Sequence, residues 1–241
     1  MARKGTMYDK TIKSEFLKEE MVIKIYEPAE TDTLYENNVC IMQDGDDYFQ
    51  LGRVATVSDQ LHETEAIVNT TFVGIHYIDR LDRLKKYHPE GEKFEAYISF
   101  LIKEVIPLLD DVLPLNPLGT VRTLMGDSLA GTIALLTAIR HSDVFQKVIM
   151  QSPLVDENVL EAAKQCEGIH GLEVYHSIGL KETAVGTTKD GRVDFLKPNK
   201  QLSNILTEKL TAYHYKEIEE GNHTWKFWQK ELPDVLKQML T

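Results

Sequence analysis

Ser128 has the surroundings most typical of a covalent nucleophile. It lies in the pentapeptide GDSLA, residues 126–130, which fits the pattern Gly-x-Ser-x-Gly/Ala. The run at residues 121–125 predicts a strand before the serine, and the Ala- and Leu-rich residues 128–140 predict a helix after it. A sharp bend of this kind projects the hydroxyl above a sheet and tolerates only small neighbours, such as Gly126 and Ala130. Serine is also a common helix N-cap, but this position favours a nucleophile.

His223 is the histidine best placed to act as the base. Where a serine occupies such a bend, the acid and then the histidine follow it along the chain. His223 comes after the last predicted strand, residues 215–218, in the sequence EEGNHTW. A loop at that point can reach across the strand ends toward Ser128. The remaining histidines precede the serine or lie in less suitable places: His62, His76, His88, His141, His170, His176 and His214.

The acid member of the site leaves a choice. Glu182 is the first carboxylate after the predicted strand at residues 173–177, so it is our first prediction. Its role would be to accept the imidazole N–H, fix the tautomer and stabilise the imidazolium. Asp194 lies further along the same connection and suits the start of a helix equally well. Asp156, after the predicted strand at residues 147–150, is a weaker candidate.

Two backbone amides are predicted to stabilise an oxyanion. One is the N–H of Leu129, directly after the serine, and the other is the N–H of Asp46, in the sequence QDGDDYF at residues 43–49. Gly45 allows the backbone to turn there, and we expect the Asp46 carboxylate to point away because it would oppose the oxyanion. The acidic run resembles half of a calcium loop, but the later ligands of such a loop are absent. We therefore predict no metal and no organic cofactor.

Short apolar runs alternate with longer segments of helical periodicity. Strands are predicted at residues 20–26, 38–42, 71–75, 121–125, 147–150, 173–177 and 215–218. Helices are predicted at residues 94–111, 128–140, 196–212 and 225–240. The alternation predicts one α/β domain over residues 1–241, with a mostly parallel central sheet and helices on both faces. The connection from residue 150 to residue 173 is too short for a large lid, so we expect an open site.

The composition favours a globular protein that acts on a small molecule. The 241 residues are 42% hydrophobic, and no apolar run is long enough to span a membrane. A net charge of −11 opposes binding to nucleic acid or to an anionic membrane. No secretory signal is recognisable, so the expected location is the cytoplasm, and Cys40 and Cys166 predict neither a disulfide framework nor a zinc site. A homo-oligomer is left open.

These motifs resemble those of the putative esterase family of α/β-hydrolases. That family includes enterochelin esterases, esterase D, feruloyl and acetylxylan esterases, and mycolyltransferases. The resemblance covers about residues 18–240. It rests on IMQDGDDYF at residues 41–49, VGI at residues 73–75 with Arg80 following, GDSLAG at residues 126–131, and GNHTWKFW at residues 221–228.

The resemblance implies an α/β-hydrolase fold and a serine esterase activity. Ser128 and His223 match the nucleophile and the base of the family, and Asp46 and Leu129 fall where its oxyanion amides lie. The segment IGLKE, residues 178–182, is similar to the family's acid-bearing segment and supports Glu182 without excluding Asp194. The sequence departs from the family pattern at three positions, namely Ala130, Asn222 and Thr224.

A serine carboxylesterase acting on a small or polar ester is therefore the leading hypothesis. The acyl group would pass to Ser128 while His223 takes its proton, and water would then release the acyl group. One alternative is an enterochelin-type siderophore ester hydrolase, which would need cationic residues around its pocket. Another is a non-catalytic binding protein with the same fold. The sequence offers no obvious cationic cluster, and the intact pair of Ser128 and His223 argues against a loss of catalysis.

Overall fold

The computed structural model describes residues 3–29, 37–116 and 119–241. Its strands are β1 (Thr6–Lys13), β2 (Glu20–Glu27), β3 (Asn37–Gln43), β4 (Asn69–Ile75), β5 (Thr120–Asp127), β6 (Lys147–Gln151), β7 (Glu173–Gly179), β8 (Val185–Thr187), β9 (Gly191–Val193) and β10 (Ala212–Ile218). Strands β8 and β9 pair as a small hairpin, and the others form one sheet in the order β1-β2-β4-β3-β5-β6-β7-β10. From β4 to β10 all neighbours in that sheet are parallel, whereas β2 runs against both β1 and β4.

Helices cover both faces of this sheet. They are α1 (Gly45–Gln50), α2 (Val54–Glu63), α3 (Arg80–Tyr87), α4 (Phe94–Phe100), α5 (Ile106–Val112), α6 (Leu129–Arg140), α7 (Glu157–Gln165), α8 (Leu196–Lys209) and α9 (Trp225–Met239). Successive strand residues face opposite layers. In β3, Val39 and Ile41 pack in the core that α3 to α8 cover, whereas Cys40 and Met42 pack in the core that α1, α2 and α9 cover. The α/β fold predicted from alternating strand and helix patterns is confirmed.

Three strands were not predicted from the sequence. Strand β1 is a half-exposed edge strand that pairs only with β2, so its apolar residues do not form a continuous run. Strands β8 and β9 have three residues each, which is too short for a periodic pattern. The helix predicted at residues 196–212 ends at Lys209, and β10 already begins at Ala212. The prediction was wrong at the C-terminal end of this helix, because the apolar residues at the junction fit the spacing of a helix as well as that of a strand.

The helix predicted at residues 94–111 is interrupted. Between α4 and α5, Leu101–Val105 form a π-helical turn, in which the N–H of Ile106 donates to the carbonyl of Leu101. Pro107 follows directly and has no N–H for the carbonyl four residues earlier, so a regular α-helix is disfavoured at this point. Among the described residues, no helix is both long and apolar enough to cross a membrane.

The sheet topology brings the predicted site residues to one edge. Parallel strands end on the same side, and the segments that leave β3, β5, β7 and β10 there carry Asp46, Ser128, Glu182 and His223 in turn. The connection from β6 to β7 contains only the short helix α7 and no large lid. The fold thus places residues that are distant in sequence around the end of β5.

Candidate active site

Ser128 occupies the bend between β5 and α6 in a strained backbone conformation. Its φ and ψ are 52° and −127°, values that residues with a side chain rarely adopt. A Cβ atom added to Gly126 would lie 2.3 Å from the backbone of Ala130, so only glycine fits there. The N–H of Ser128 donates to the carbonyl of Gln151 at 2.9 Å, which ties the bend to β6. The surrounding structure therefore holds the serine in a conformation that it would not adopt alone.

His223 lies in the loop between β10 and α9, and both of its ring nitrogens have partners. Nε2 lies 2.9 Å from Oγ of Ser128, and Nδ1 lies 2.6 Å from Oε2 of Glu182. The rings of Phe195 and Trp228 meet the imidazole edge to face, with centroids 4.6 and 4.9 Å away. When Nδ1–H donates to the carboxylate, the lone pair of Nε2 faces the serine hydroxyl. The structure thus brings together the serine, histidine and glutamate that the sequence indicated.

Glu182 is buried and has hydrogen-bond partners for both carboxylate oxygens. Oε1 accepts from the hydroxyl of Ser152 at 2.7 Å and from the N–H of Gly179 at 2.9 Å, while Oε2 faces His223. The indole N–H of Trp228 donates to Oγ of Ser152 at 3.1 Å. Ser152, which sequence analysis did not identify, has a φ of 48° at the end of β6. These contacts fix the orientation of the carboxylate before any substrate is present.

The rival carboxylates lie in structural positions. Oδ1 of Asp194 accepts from the N–H of Lys197 at 3.1 Å, in the first turn of α8. Oδ1 of Asp156 accepts from the N–H of Val159 at 3.0 Å and caps α7. Both side chains thus stabilise helix ends, where free N–H groups need an acceptor. Neither of them contacts His223.

His176 shows how a histidine in the same region is used structurally. It is fully buried in β7, with Nε2 2.6 Å from the Asn199 side-chain oxygen and Nδ1 2.8 Å from the hydroxyl of Tyr213. Burial lowers the pKa of His176 to about 4. It is therefore a neutral core residue at ordinary pH, as its position within a predicted strand indicated.

The predicted oxyanion amides belong to the first turns of two neighbouring helices. Leu129 is the first residue of α6, and Asp46 is the second residue of α1. The N–H groups of a first helical turn have no carbonyl partner within the helix. Strands β3 and β5 are adjacent, with Met42 opposite Met125, so the helices that follow them start side by side. The Asp46 carboxylate pairs with Lys24 on β2 at 2.9 Å.

Arg83 is a residue of this region that sequence analysis did not identify. It lies on α3, and its guanidinium binds both carboxylate oxygens of Asp44, with a shortest distance of 2.5 Å. Nη2 also lies 3.4 Å from the carbonyl of Asp127, the residue directly before Ser128. Arg83 thus joins the α1 loop to the Ser128 bend. The four-residue spacing of Arg83 and Tyr87 puts them in contact on one helix face, but it does not by itself mark a functional residue.

Asp127 is buried beside Ser128, and few hydrogen bonds or charges offset the cost of burying its carboxyl group. Its Oδ1 has no hydrogen-bond partner within the described part of the chain. Burial, together with the nearby Asp44, raises the pKa of Asp127 well above its usual value, and the Arg83 charge opposes this only in part. Burial and Asp44 likewise raise the pKa of Asp47. The region around Arg83 therefore contains more carboxyl groups than its single guanidinium can pair.

A cleft of about 80 Å³ opens beside Ser128. One wall consists of Arg83, Leu84 and His88, and the other consists of residues 186–189 of the β8–β9 hairpin. The hairpin was not predicted from the sequence. It covers one side of Ser128, so the site is less open than expected, although no large lid is present among the described residues.

Comparison with known sequences places this geometry in context. A family model described as putative esterase matches residues 14–239. The chain is 42% identical over 238 residues to the uncharacterized protein YjcH of Bacillus subtilis (strain 168), and the match covers 99% of each chain. It is 25% identical over 180 residues to an acetyl esterase of Caldicellulosiruptor saccharolyticus, covering 64% of this chain and 67% of that one.

Solved structures show the same fold. The enterobactin esterase of Shigella flexneri, solved with enterobactin, superposes with a TM-score of 0.82 at 20% identity. That match covers 99% of this chain and 59% of the other, so the chain spans about three fifths of that enzyme. A ferulic acid esterase superposes with a TM-score of 0.79 at 14% identity, covering 98% of both chains.

Proposed function

This chain belongs to the putative esterase family and is an ester hydrolase, and on that premise we propose that it is a serine carboxylesterase acting on a small or polar ester. The observation that carries the proposal is the hydrogen-bonded chain from Ser128 through His223 to Glu182. A serine on a strained bend is not by itself a nucleophile; a serine joined to an oriented imidazole is an activated nucleophile.

The proposed reaction has two halves. In the first, Oγ of Ser128 attacks the ester carbonyl while Nε2 of His223 takes the serine proton. The imidazolium then gives that proton to the departing alcohol, leaving the acyl group on Ser128. In the second, water attacks the acyl-enzyme, His223 accepts a proton from the water, and the carboxylic acid leaves as Ser128 recovers its proton. Glu182 accepts the Nδ1–H hydrogen bond of His223 and stabilises the imidazolium in both halves. The side chains and water suffice, so the proposal includes no cofactor.

The oxyanion would be stabilised by backbone N–H groups. We assign the donors to Leu129 and Asp46, because both belong to first helical turns that begin beside the Ser128 bend. The N-terminus of α6 adds a partial positive charge at the same place. The Asp46 carboxylate is held by Lys24, so it does not oppose the oxyanion. Removing one such donor usually lowers the rate by roughly 10²–10³-fold.

The cleft favours a small neutral ester over a large anionic one. Arg83, His88 and Lys189 line the cleft, but Arg83 is paired with Asp44 and Lys189 is paired with Glu90. These counterions reduce the attraction that a siderophore hydrolase would need for an anionic iron complex. The relative named as an acetyl esterase is consistent with this choice. We therefore propose a small-molecule ester as the partner of the site.

The test compares the native chain with a Ser128→Ala variant. We expect the native protein to hydrolyse p-nitrophenyl acetate and to be labelled by a fluorophosphonate probe, and the variant to lose both. The matched control is Ser142→Ala, because Ser142 lies at the opposite end of α6, about 18 Å away along the helix. A native protein that neither labels nor hydrolyses short esters would contradict the proposal, as would labelling that survives in the Ser128 variant.

A further inference from the structure

The β8–β9 hairpin forms one wall of the cleft next to the nucleophile. Gly186, Thr187, Thr188 and Lys189 face the cleft from the hairpin, opposite α3. The hairpin belongs to the connection that begins at Glu182, so its base is fixed by the same segment that fixes the acid. No step of the proposed reaction uses the hairpin, and its position over the cleft needs a different explanation.

The hairpin is anchored at its base and weakly held at its tip. At the base, Val185 and Phe195 are buried in a small core with Ile178. At the tip, Thr188, Lys189 and Asp190 are exposed. A Cβ atom added to Gly186 or Gly191 would meet no atom within 4 Å, so nothing packs closely around these two glycines. A tip of this kind can swing on its base at low cost.

One ion pair joins the tip to the opposite wall. Nζ of Lys189 binds the carboxylate of Glu90, which follows α3. Glu90 is oriented by its own N–H, which donates to Nδ1 of His88 at 3.1 Å, and by Nδ2 of Asn158 at 3.5 Å. The Lys189 and Glu90 side chains are 39% and 58% exposed. Pairs with this exposure are weak, so this one can hold the tip closed and still open readily.

The ion pair also lies between two cavities. The cleft beside Ser128 measures about 80 Å³, and a neighbouring cavity of about 310 Å³ is lined by Glu90, Gly91 and Glu92. Leu84, His88 and Lys189 line both cavities. With the tip closed, the space beside the nucleophile suits an acyl group of a few carbons. Displacement of the tip would join the two cavities and admit a longer chain.

The chemistry of the leaving group decides which part of the ester enters this cleft. The departing oxygen must lie within reach of Nε2 of His223, which protonates it. The cleft is lined by Ser128 and Leu129, and His223 does not contribute to its lining. The alcohol therefore leaves on the open side near His223, and the acyl group points into the cleft under the hairpin.

We infer that the β8–β9 hairpin restricts the enzyme to short acyl groups, and that the Lys189–Glu90 pair holds it closed. This inference rests on the proposed function, since it assigns the acyl side of the same site. Lys189 and Glu90 are specificity-determining residues that take no part in the chemical steps.

The test measures kcat/KM for p-nitrophenyl acetate, butyrate, hexanoate and octanoate. Glu90→Lys and Lys189→Glu each replace attraction with repulsion, and we expect either variant to raise the octanoate-to-acetate ratio about two- to fivefold, within the range of exposed ion pairs. Acetate hydrolysis should change less than octanoate hydrolysis. The double variant Glu90→Lys/Lys189→Glu restores an ion pair and should return the ratio to its native value. Glu95→Lys is the charge-matched control, because Glu95 forms an exposed ion pair with Arg140 and lines neither cavity.

A second measurement does not depend on activity. Hydrogen exchange of the amides of residues 186–190 should be faster in each single variant and native-like in the double variant. An unchanged ratio with unchanged exchange would overturn the inference while leaving the esterase proposal intact, and so would an equal effect of Glu95→Lys, because it would show that only net charge matters. Failure of the native protein to hydrolyse any ester would instead contradict the proposed function itself.

Discussion

The two sides of Ser128 differ in how their buried polar atoms are paired. On the side of His223, every side-chain nitrogen and oxygen of His223 and Glu182 has a hydrogen-bond partner. On the side of Arg83, some buried polar atoms have no partner among the described residues. On the first side, Glu182 uses both oxygens and His223 uses both nitrogens. On the second side, Oδ1 of Asp127 and Nδ1 of His76 lack partners within the described residues. Proteins rarely leave buried polar atoms unpaired. The polar atoms of Glu182 and His223 are thus paired within the chain, whereas these two atoms on the Arg83 side are not.

The difference follows from what each side has to do. The base and the acid must have one geometry throughout the reaction, because a misaligned imidazole cannot transfer a proton in both directions. In the proposed reaction the opposite side has to stabilise a charge that appears only in the transition state, and its proposed donors, the N–H groups of Leu129 and Asp46, have no carbonyl partner within their own helices. This contrast leads to four predictions, which run from the largest expected effect to the smallest.

Loss of the acid should have the largest effect. Glu182→Gln keeps the shape of the side chain but can present an N–H to His223, which favours the wrong tautomer. We expect kcat/KM for p-nitrophenyl acetate to fall about 10³–10⁴-fold. Asp194→Asn is the control: the asparagine side-chain oxygen can still accept from the N–H of Lys197, so stability should change little and activity less than twofold. If the Asp194 variant lost more activity than the Glu182 variant, the assignment of the acid would be wrong.

Loss of Arg83 should have the next largest effect. Arg83→Lys keeps a positive charge but loses the bidentate grip on Asp44 that fixes the start of α1. We expect kcat to fall about 10- to 100-fold with little change in KM, since the amide of Asp46 would be displaced from the oxyanion. Arg80→Lys is the matched control, because Arg80 is exposed on the same helix.

The more drastic Arg83→Met variant should also be destabilised, by roughly 3–5 kcal/mol, because it leaves the buried Asp44 carboxylate without its cation. Urea unfolding measures this loss separately from kcat. If Arg83→Lys retained full kcat in a folded protein, Arg83 would have only a structural role. The difference between the two sides of Ser128 would then have no bearing on catalysis.

The third prediction concerns the pH dependence of stability at Asp127. Because its pKa is raised well above the usual value, the folded chain retains a proton that the unfolded chain loses above about pH 4. Stability therefore falls as pH rises through this range, by up to about 1.4 kcal/mol per pH unit for one proton. Asp127→Asn carries no such proton and should lose that slope.

Urea unfolding at pH 5, 6 and 7 tests this prediction. The free energy of unfolding of Asp127→Asn should rise relative to the native protein as the pH increases, and the exposed control Asp111→Asn should show a constant difference. A constant difference for Asp127→Asn as well would mean that the folded state binds no extra proton at this carboxyl.

The same contrast explains how much the sequence could predict. Seven strands of the central sheet are encoded in local apolar runs, and Ser128, Glu182 and His223 follow from the order in which strand ends occur. Ser152 and Arg83 act through partners that lie 30 and 39 residues away in sequence. No local pattern records such a contact, because a lone serine after a strand and an arginine on a charged helix usually face solvent.

The hairpin illustrates a second limit. Its strands have only three residues each, and its place over the cleft depends on an ion pair between residues 99 positions apart. Charged residues such as Lys189 and Glu90 are common on every surface, so their pairing becomes visible only when the fold brings the two walls together. Helices and strands whose apolar residues recur at regular spacing can therefore be predicted from the sequence. Elements whose position depends on a single long-range polar contact cannot.

The last prediction addresses the support of the acid and should have the smallest effect. Trp228→Phe removes the N–H that donates to Ser152 but keeps a ring against His223. Ser152 still donates to Glu182, so the carboxylate should lose only part of its orientation, and we expect kcat to fall about three- to tenfold with KM unchanged. Trp225→Phe is the matched control, because Trp225 contacts Tyr48 and Trp228 but not His223. An equal decrease in both variants would attribute the effect to helix packing rather than to the hydrogen bond. A decrease confined to Trp228→Phe would show that the orientation of the His223 imidazole depends on three further side chains, namely Glu182, Ser152 and Trp228.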